Sequence, residues 1–258
     1  MGYRRDLNMA ADGGGGTPVP PPPAPVVTWE LVGDDAVFSS GLLTSWPSVI
    51  GPDMTPLGGA APSDAGPEAN GHQGVLFPTV GARCDSNDII SSGTFSEATM
   101  MFVIDPDNAE ASVDAEIIAY VRNNTVSANN HLIYSLQAAA TDATAHMGAF
   151  APVTWRTTNV VPRNRLHVLS VALTADGTMR FYIDQTLVAT TTAPSSSFNL
   201  AYEVIGARYG SLPLQNWFKG TLYHLRFWSG AITEDVLMSN AGALMTTYGI
   251  VSSVWTPG

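Results

Sequence analysis

Cysteine and lysine are almost missing from this chain: Cys84 and Lys219 are the sole examples among 258 residues. A lone cysteine excludes an intramolecular disulfide and any multi-cysteine metal site. β-rich proteins exported through an oxidising compartment commonly carry disulfides, so the expectation is folding in a reducing cytoplasm. Charge is scarce as well, at 13% of residues against 45% hydrophobic, and it is one-sided, with a net −11. Arg4, Arg5, Asp6 and Asp12 cancel, so that excess lies wholly beyond residue 26. Such an acidic body lacks the basic surface that neutralises phosphates, which excludes nucleic acid as a partner. No run approaches the roughly 18 apolar residues of a membrane helix, so no membrane insertion is expected. The first residues, MGYRRDLNMAADGGGG, carry two arginines but no apolar stretch after them, unlike a secretory signal. Gly2 matches a myristoylation start, yet position 6 is Asp where that motif wants Ser or Thr. The expected product is soluble and made in the cytoplasm.

What the chain does have is proline, glycine and short apolar runs. Residues 1–26 form a separate arm. Gly13 to Gly16 is flexible, and the Pro18–Pro25 stretch (PVPPPPAP) favours polyproline II, a stiff spacer of about 3 Å per residue. Such a segment cannot bury enough apolar surface to order itself. It is expected to order against a neighbouring subunit, as an anchor using Tyr3, Arg4, Arg5, Pro20 and Pro22; a passive linker is the alternative.

Beyond the arm, residues 27–258 read as one β-sandwich domain. Strands are predicted at 27–32, 36–38, 75–77, 99–104, 116–121, 132–136, 149–156, 166–173, 179–183, 187–191, 202–205 and 217–228. Residues 41–74, rich in Gly, Pro, Ser and Asp, read as a long loop with Trp46 as a packing anchor. In Met179-Arg180-Phe181-Tyr182-Ile183 the odd positions face a core, and Gly177 supplies positive φ to an Asp-Gly hairpin turn. Short strands with turn residues between them argue a two-sheet antiparallel sandwich of the jelly-roll kind. One helix is predicted near the C-terminus. Thr233 is its N-cap, Glu234 and Asp235 suit the positive end of its dipole, and Leu237, Ala241, Leu244 and Tyr248 form its apolar stripe. Gly249 stops it.

Several segments resemble a known family. They are Ser45-Trp46-Pro47, Gly58-Gly59-Ala60-Ala61-Pro62, Gly74-Val75-Leu76-Phe77, Asp85-Ser86-Asn87-Asp88-Ile89 and Gly93-Thr94-Phe95 leading to a long strand at 100–105. The closing order is more specific: Asp176-Gly177, Phe181-Tyr182-Ile183-Asp184, Ile205-Gly206, Phe218-Lys219-Gly220-Thr221-Leu222, Leu225-Arg226-Phe227-Trp228, then the helix. Together these resemble the concanavalin A-like lectin/glucanase superfamily in its laminin G-like branch, over residues 40–250. The resemblance implies a jelly-roll sandwich that binds sugars or proteins. Many relatives carry an Asp-Glu pair where this chain has Tyr223-His224, so no role of that pair carries over. Its glucanases use a strand bearing Glu-x-Asp-x-x-Glu or Glu-x-Asp-x-Glu. Here, in Glu110-Ala111-Ser112-Val113-Asp114-Ala115-Glu116, Glu110 lies two residues too far from Asp114, which argues against that chemistry.

Asp105, Asp107 and Asn108 cluster on a turn, as do Asp85, Asn87 and Asp88, and calcium takes such oxygens. Asp and Asn also populate turns by bonding their own backbone, so no cofactor is required and calcium is the alternative. The five histidines, His72, His131, His146, His167 and His224, show no ligand-like spacing and read as structural or exposed. No Gly-x-Ser-x-Gly elbow occurs. Cys84 beside Arg83 reads as a structural thiol rather than a nucleophile. A sugar site needs a ring for the apolar face and polar groups for the hydroxyls. Arg208, Tyr209, Gln215, Asn216 and Trp217 supply both in one loop, although Trp217 would equally plug a sandwich and the Asn-rich stretch 122–130 would equally be a turn.

The sequence reading is therefore a non-enzymatic component of a bacteriophage virion, on head or tail. Its arm would engage other virion proteins, its sandwich would face host glycans, and many copies would make weak sites useful. A carbohydrate-binding module or polysaccharide-active enzyme of the same fold is the rival.

Overall fold

The structure, a computed structural model, describes residues 26–57, 61–78, 82–86, 94–106, 116–122, 131–138, 144–151, 153–162, 165–192, 198–199, 202–206 and 218–251. For residues 94–95, 116–160, 198–199 and 202–204 it describes the backbone alone. In chain order the strands are β1 (Val27–Val32), β2 (Val37–Ser39), β3 (Leu42–Ser45), β4 (Ser48–Ile50), β5 (Met54–Leu57), β6 (Val75–Phe77), β7 (Arg83–Ser86), β8 (Thr94–Phe95) and β9 (Ala98–Pro106). They continue as β10 (Glu116–Arg122), β11 (His131–Ala138), β12 (Thr144–Ala151), β13 (Val153–Pro162), β14 (His167–Leu173), β15 (Thr178–Ile183), β16 (Thr186–Thr192), β17 (Phe198–Asn199), β18 (Tyr202–Ile205) and β19 (Gly220–Trp228). Helix α1 (Glu234–Thr247) follows.

Two antiparallel sheets carry the fold. The first has the order β16-β15-β14-β9-β19-β1-β4, with β6 also paired to β19; the second runs β13-β12-β11-β10-β18-β7-β5. Pleating decides which side chains meet. From the first sheet, Met100, Phe102, Ile104, Leu169, Val171, Leu173, Met179, Phe181 and Ile183 enter the core that also takes Cys84 and Ile205 of the second sheet. The intervening residues Met101, Val103, Val168, Tyr182 and Tyr223 face the other way and pack beneath Leu237, Ala241, Leu244, Met245 and Tyr248 of α1. β9 is thus buried on both faces, which is why it reads as a continuous apolar run rather than an alternating one.

Trp29 and Trp46 are fully buried, and each indole finds an acceptor: Trp29 Nε1 donates to Pro52 O at 3.0 Å and Trp46 Nε1 to Val32 O at 2.7 Å. Burial of each ring contributes roughly 2–3 kcal/mol, and the indole bonds cancel the polar cost. α1 starts where the Thr233 hydroxyl accepts from Val236 N and ends at Gly249, whose φ of +68° lets Ile250 N reach Met245 O at 2.8 Å.

Four sequence expectations need correction. Residues 41–74 are not one loop: β3, β4 and β5 lie within them. The expected strand 149–156 is parts of two, the end of β12 and the start of β13, which pair with each other. The expected turn around Asp85 begins as β7, with Asp85 buried. The last strand starts at Gly220 rather than Trp217.

Candidate functional site

One rim of the sandwich gathers the ends of several strands. Gly220 at the start of β19 lies opposite Phe77 of β6 on one side and Pro106 of β9 on the other. Thr221 lies opposite Asp105, and His167 at the start of β14 opposite Ile104. β9 of the first sheet is followed in the chain by β10 of the second, and β18 of the second by β19 of the first. The residues that flank 207–217 are held together: Phe218 N donates to Gly206 O at 2.9 Å.

Glycine is obligatory at this neck. Gly206 has φ +88°, and a Cβ there would sit 2.6 Å from the Phe77 ring, which itself meets Phe218 at 5.7 Å between centroids. At Gly220, φ is +144° and a Cβ would lie 2.4 Å from Asp105 O. Both contacts are closer than any side chain tolerates, so the backbone conformation and its neighbours select glycine together.

Of the residues singled out for sugar binding, Arg208, Tyr209, Gln215, Asn216 and Trp217 lie outside the described residues. So do Asp107 and Asn108 of the metal candidate, Asn87 and Asp88, and Tyr3, Arg4, Arg5, Pro20 and Pro22 of the arm. Asp105 is half-buried beside Tyr223, whose hydroxyl donates to Pro67 O at 2.7 Å. Burial first and the Asp105 charge second push the Tyr223 phenol up to about 12, so it stays protonated. Among the described residues no three His, Cys, Asp or Glu side chains converge as a metal would require. Cys84 is fully buried, which raises its thiol well above the ordinary range, with the Asp85 charge adding to the shift. That environment gives a thiol, not a thiolate nucleophile. Asp85 is pushed up by burial, against the opposing pull of Arg83, whose Nε stands 3.3 Å away.

Sequence spacing gave no hint of three histidine–carboxylate pairs. His167 Nδ1 lies 2.9 Å from Asp184 Oδ2, both buried, while Asp184 Oδ1 accepts from Val168 N at 2.9 Å. This pair fastens the β15–β16 turn, where Asp184 and Gln185 take φ of +47° and +71°, to β14. His72 Nδ1 meets Asp34 Oδ2 at 2.6 Å. His224 Nε2 donates to Glu30 Oε1 at 2.9 Å, and the same carboxylate oxygen accepts from Nε and Nη2 of Arg226. Tyr248 at the end of α1 bonds His224 Nδ1 and donates to Tyr223 O, and Arg226 Nη1 donates to Asn240 Oδ1 at 2.8 Å. The His224 and Arg226 hydrogen bonds hold Glu30 at about 2, against the upward pull of burial. This network ties β1, β19 and α1 together. The linked side chains fasten the strand pair β1–β19 to the last turn and the middle of α1.

A family model described as concanavalin A-like lectin/glucanases, of the laminin G type, matches residues 81–237, more than half of the chain. The chain belongs to the concanavalin A-like lectin/glucanases superfamily. No curated protein matches it. Among solved structures it is similar to domain 4 of AbnA, a GH43 extracellular arabinanase from Geobacillus stearothermophilus solved with arabinotriose, at TM-score 0.59 and 14% identity, covering 84% of this chain and 99% of that one. It also resembles the binding domain of Paraclostridial Mosquitocidal Protein 1, at TM-score 0.58 and 10% identity over 85% of this chain and 52% of that one. A native heptameric SAP-like pentraxin from Limulus polyphemus gives TM-score 0.50 and 17% identity over 64% and 76%. At these identities the likeness is one of fold, as expected where superfamily members keep an architecture and vary its loops.

Proposed function

We propose that this superfamily member is a non-catalytic, lectin-like accessory protein of a bacteriophage particle, with its rim turned to host glycans and its arm fixed to a neighbouring virion protein. The observation that carries the binding reading is the Gly206–Phe218 neck. It joins the two residues that flank a segment whose sequence contains Arg208, Tyr209, Gln215, Asn216 and Trp217. Recognition loops on rigid scaffolds work in this way, because the scaffold absorbs the ordering cost before the ligand arrives. The fold, shared with a domain solved with arabinotriose, supports a carbohydrate as the ligand class. The particle reading is supported by the disulfide-free acidic body and by an arm that is net neutral and rich in proline.

A glycan array probed with the full chain tests the first half. Specific binding that Tyr209→Ala or Trp217→Ala abolishes supports it, and a chain that retains no sugar refutes it. Depolymerisation of the bound polysaccharide would instead establish an enzyme. For the second half, deletion of residues 1–26 should leave a folded body that no longer enters particles; normal incorporation would dispose of the anchor.

A further inference from the structure

Asn70 and Gly71 form the only Asn-Gly step in the chain, and the fold sets it at an exposed hairpin tip. Ala69 N donates to His72 O at 2.9 Å and His72 N to Ala69 O at 3.0 Å, so Asn70 and Gly71 occupy the two corners. Their φ values, +53° and +82°, are those that two-residue hairpin turns demand, and asparagine and glycine tolerate them best. The stem is held from both sides. Ala69 is buried in the cluster beneath α1, while His72 lays its ring against Tyr248 at 5.0 Å and bonds Asp34.

The Asn70 side chain itself closes the end of α1. The last four carbonyls of a helix have no partner within it. Asn70 Nδ2 donates to one of them, Thr247 O, at 2.8 Å across 177 positions of sequence. A Cβ at Gly249, where the chain leaves the helix, would stand 3.2 Å from Asn70 Cβ, so the amide packs against the helix stop as well as bonding to it. α1 carries no basic residue in its last turn. This neutral amide therefore takes the place that a cation usually fills at the negative end of the dipole.

We propose that Asn70–Gly71 is a site of spontaneous deamidation, with water as the co-reactant, which unfastens the end of α1 from the body of the sandwich. Asparagine is a labile residue, and most so before glycine, where no side chain hinders the next peptide nitrogen. The Gly71 nitrogen attacks Asn70 Cγ: an N–C bond forms, the Cγ–Nδ2 bond breaks, and the amide leaves as ammonia with the Gly71 N proton. Water then opens the succinimide at either carbonyl, giving aspartate or isoaspartate, and nothing is oxidised or reduced. Both corner residues are exposed, and a Cβ at Gly71 meets nothing within 4 Å, so water and room to turn are at hand. The product is a carboxylate, which accepts but cannot donate. It faces Thr247 O at the negative end of the dipole, so a bond becomes a repulsion. Isoaspartate also lengthens the backbone by one carbon, which a two-residue turn closed by Ala69 and His72 cannot absorb. Tyr248 follows Thr247 directly, and its hydroxyl bonds His224, so the loosened end is also the one that holds the buried network.

Ageing the purified full chain in alkaline buffer, followed by peptide mass mapping and enzymatic methylation of isoaspartate, tests the site. Asn70 should convert ahead of every other asparagine in the native protein, and Gly71→Ala should slow the conversion severalfold. The aged protein and Asn70→Asp should both lose hydrogen-exchange protection over the last turn of α1. Their thermal midpoints should fall by about 2–4 °C, the shift expected for one lost hydrogen bond in a domain of this size. Asn70→Gly, which keeps the turn but has no amide, should show the same loosening from the start and no further loosening on ageing. Conversion of Asn70 only after unfolding in urea, or full protection of the α1 end in Asn70→Asp, overturns the site.

Discussion

Glu30 on β1 and His224 on β19 stand 194 residues apart in the chain, and their side chains meet at 2.9 Å beneath the C-terminal helix. Both are buried, and Arg226 completes the carboxylate's coordination. The first prediction concerns acid. Glu30 is held at about 2 in the folded state, below the ordinary 4.5 of an unfolded glutamate. A depressed carboxylate contributes stability that is fully present above 4.5 and is lost as pH falls from there toward 2. Glu30→Gln should lower stability at neutral pH by about 3 kcal/mol, since it leaves Arg226 and His224 facing a neutral amide. It should also flatten the dependence of the thermal midpoint on pH between 4.5 and 2, measured by calorimetry in parent and variant.

The neck supplies a graded test. Gly220→Ala forces a Cβ to within 2.4 Å of Asp105 O and should cost roughly 3 kcal/mol or prevent folding. Gly206→Ala, at a φ of +88°, meets the buried Phe77 ring at 2.6 Å and Ala82 O at 2.9 Å. It should cost a similar amount and weaken whatever the 207–217 segment binds. Gly71 also has positive φ, at +82°, but a Cβ there meets nothing within 4 Å. Gly71→Ala should therefore cost only about 1 kcal/mol, the backbone contribution alone. Urea titrations that rank all three variants equally would contradict this account.

Cys84 gives a third prediction. With its sulfur enclosed in the core and its thiol raised by burial, it should ignore a thiol-specific reagent at pH 8 in the native protein and react fully in denaturant. Cys84→Ser should destabilise more than Cys84→Ala, by about 1–2 kcal/mol, because serine brings an unsatisfied hydroxyl into an apolar site. Rapid native labelling would show that the two sheets separate locally at β7.

The sequence made the regular parts legible. The alternation Met179, Phe181, Ile183 faces the inter-sheet core as expected, Gly177 takes φ +81° in its turn, and the helical stripe Leu237, Ala241, Leu244, Tyr248 is buried throughout. These signals are local, and local physics fixes them. β4 and β5 escaped because they have only three and four residues, set among Gly and Pro, too short for alternation to register. β7 escaped because Arg83, Asp85 and Ser86 look like turn chemistry, whereas tertiary packing places Asp85 inside beside Arg83. The histidine–carboxylate pairs join residues 17 to 194 positions apart, which no spacing rule encodes. The sugar-binding candidates 208–217 lie outside the described residues, and of their surroundings only the flanking Phe218 N to Gly206 O bond is described.

β1 occupies an interior lane of its sheet, flanked by β19 on one side and β4 on the other. A pull delivered through the leader at Val26 along the strand axis loads the rungs on both flanks in shear and all together. An outermost strand would instead peel away one rung at a time. The N-terminal end of β1 is thus stiff against force directed along the strand.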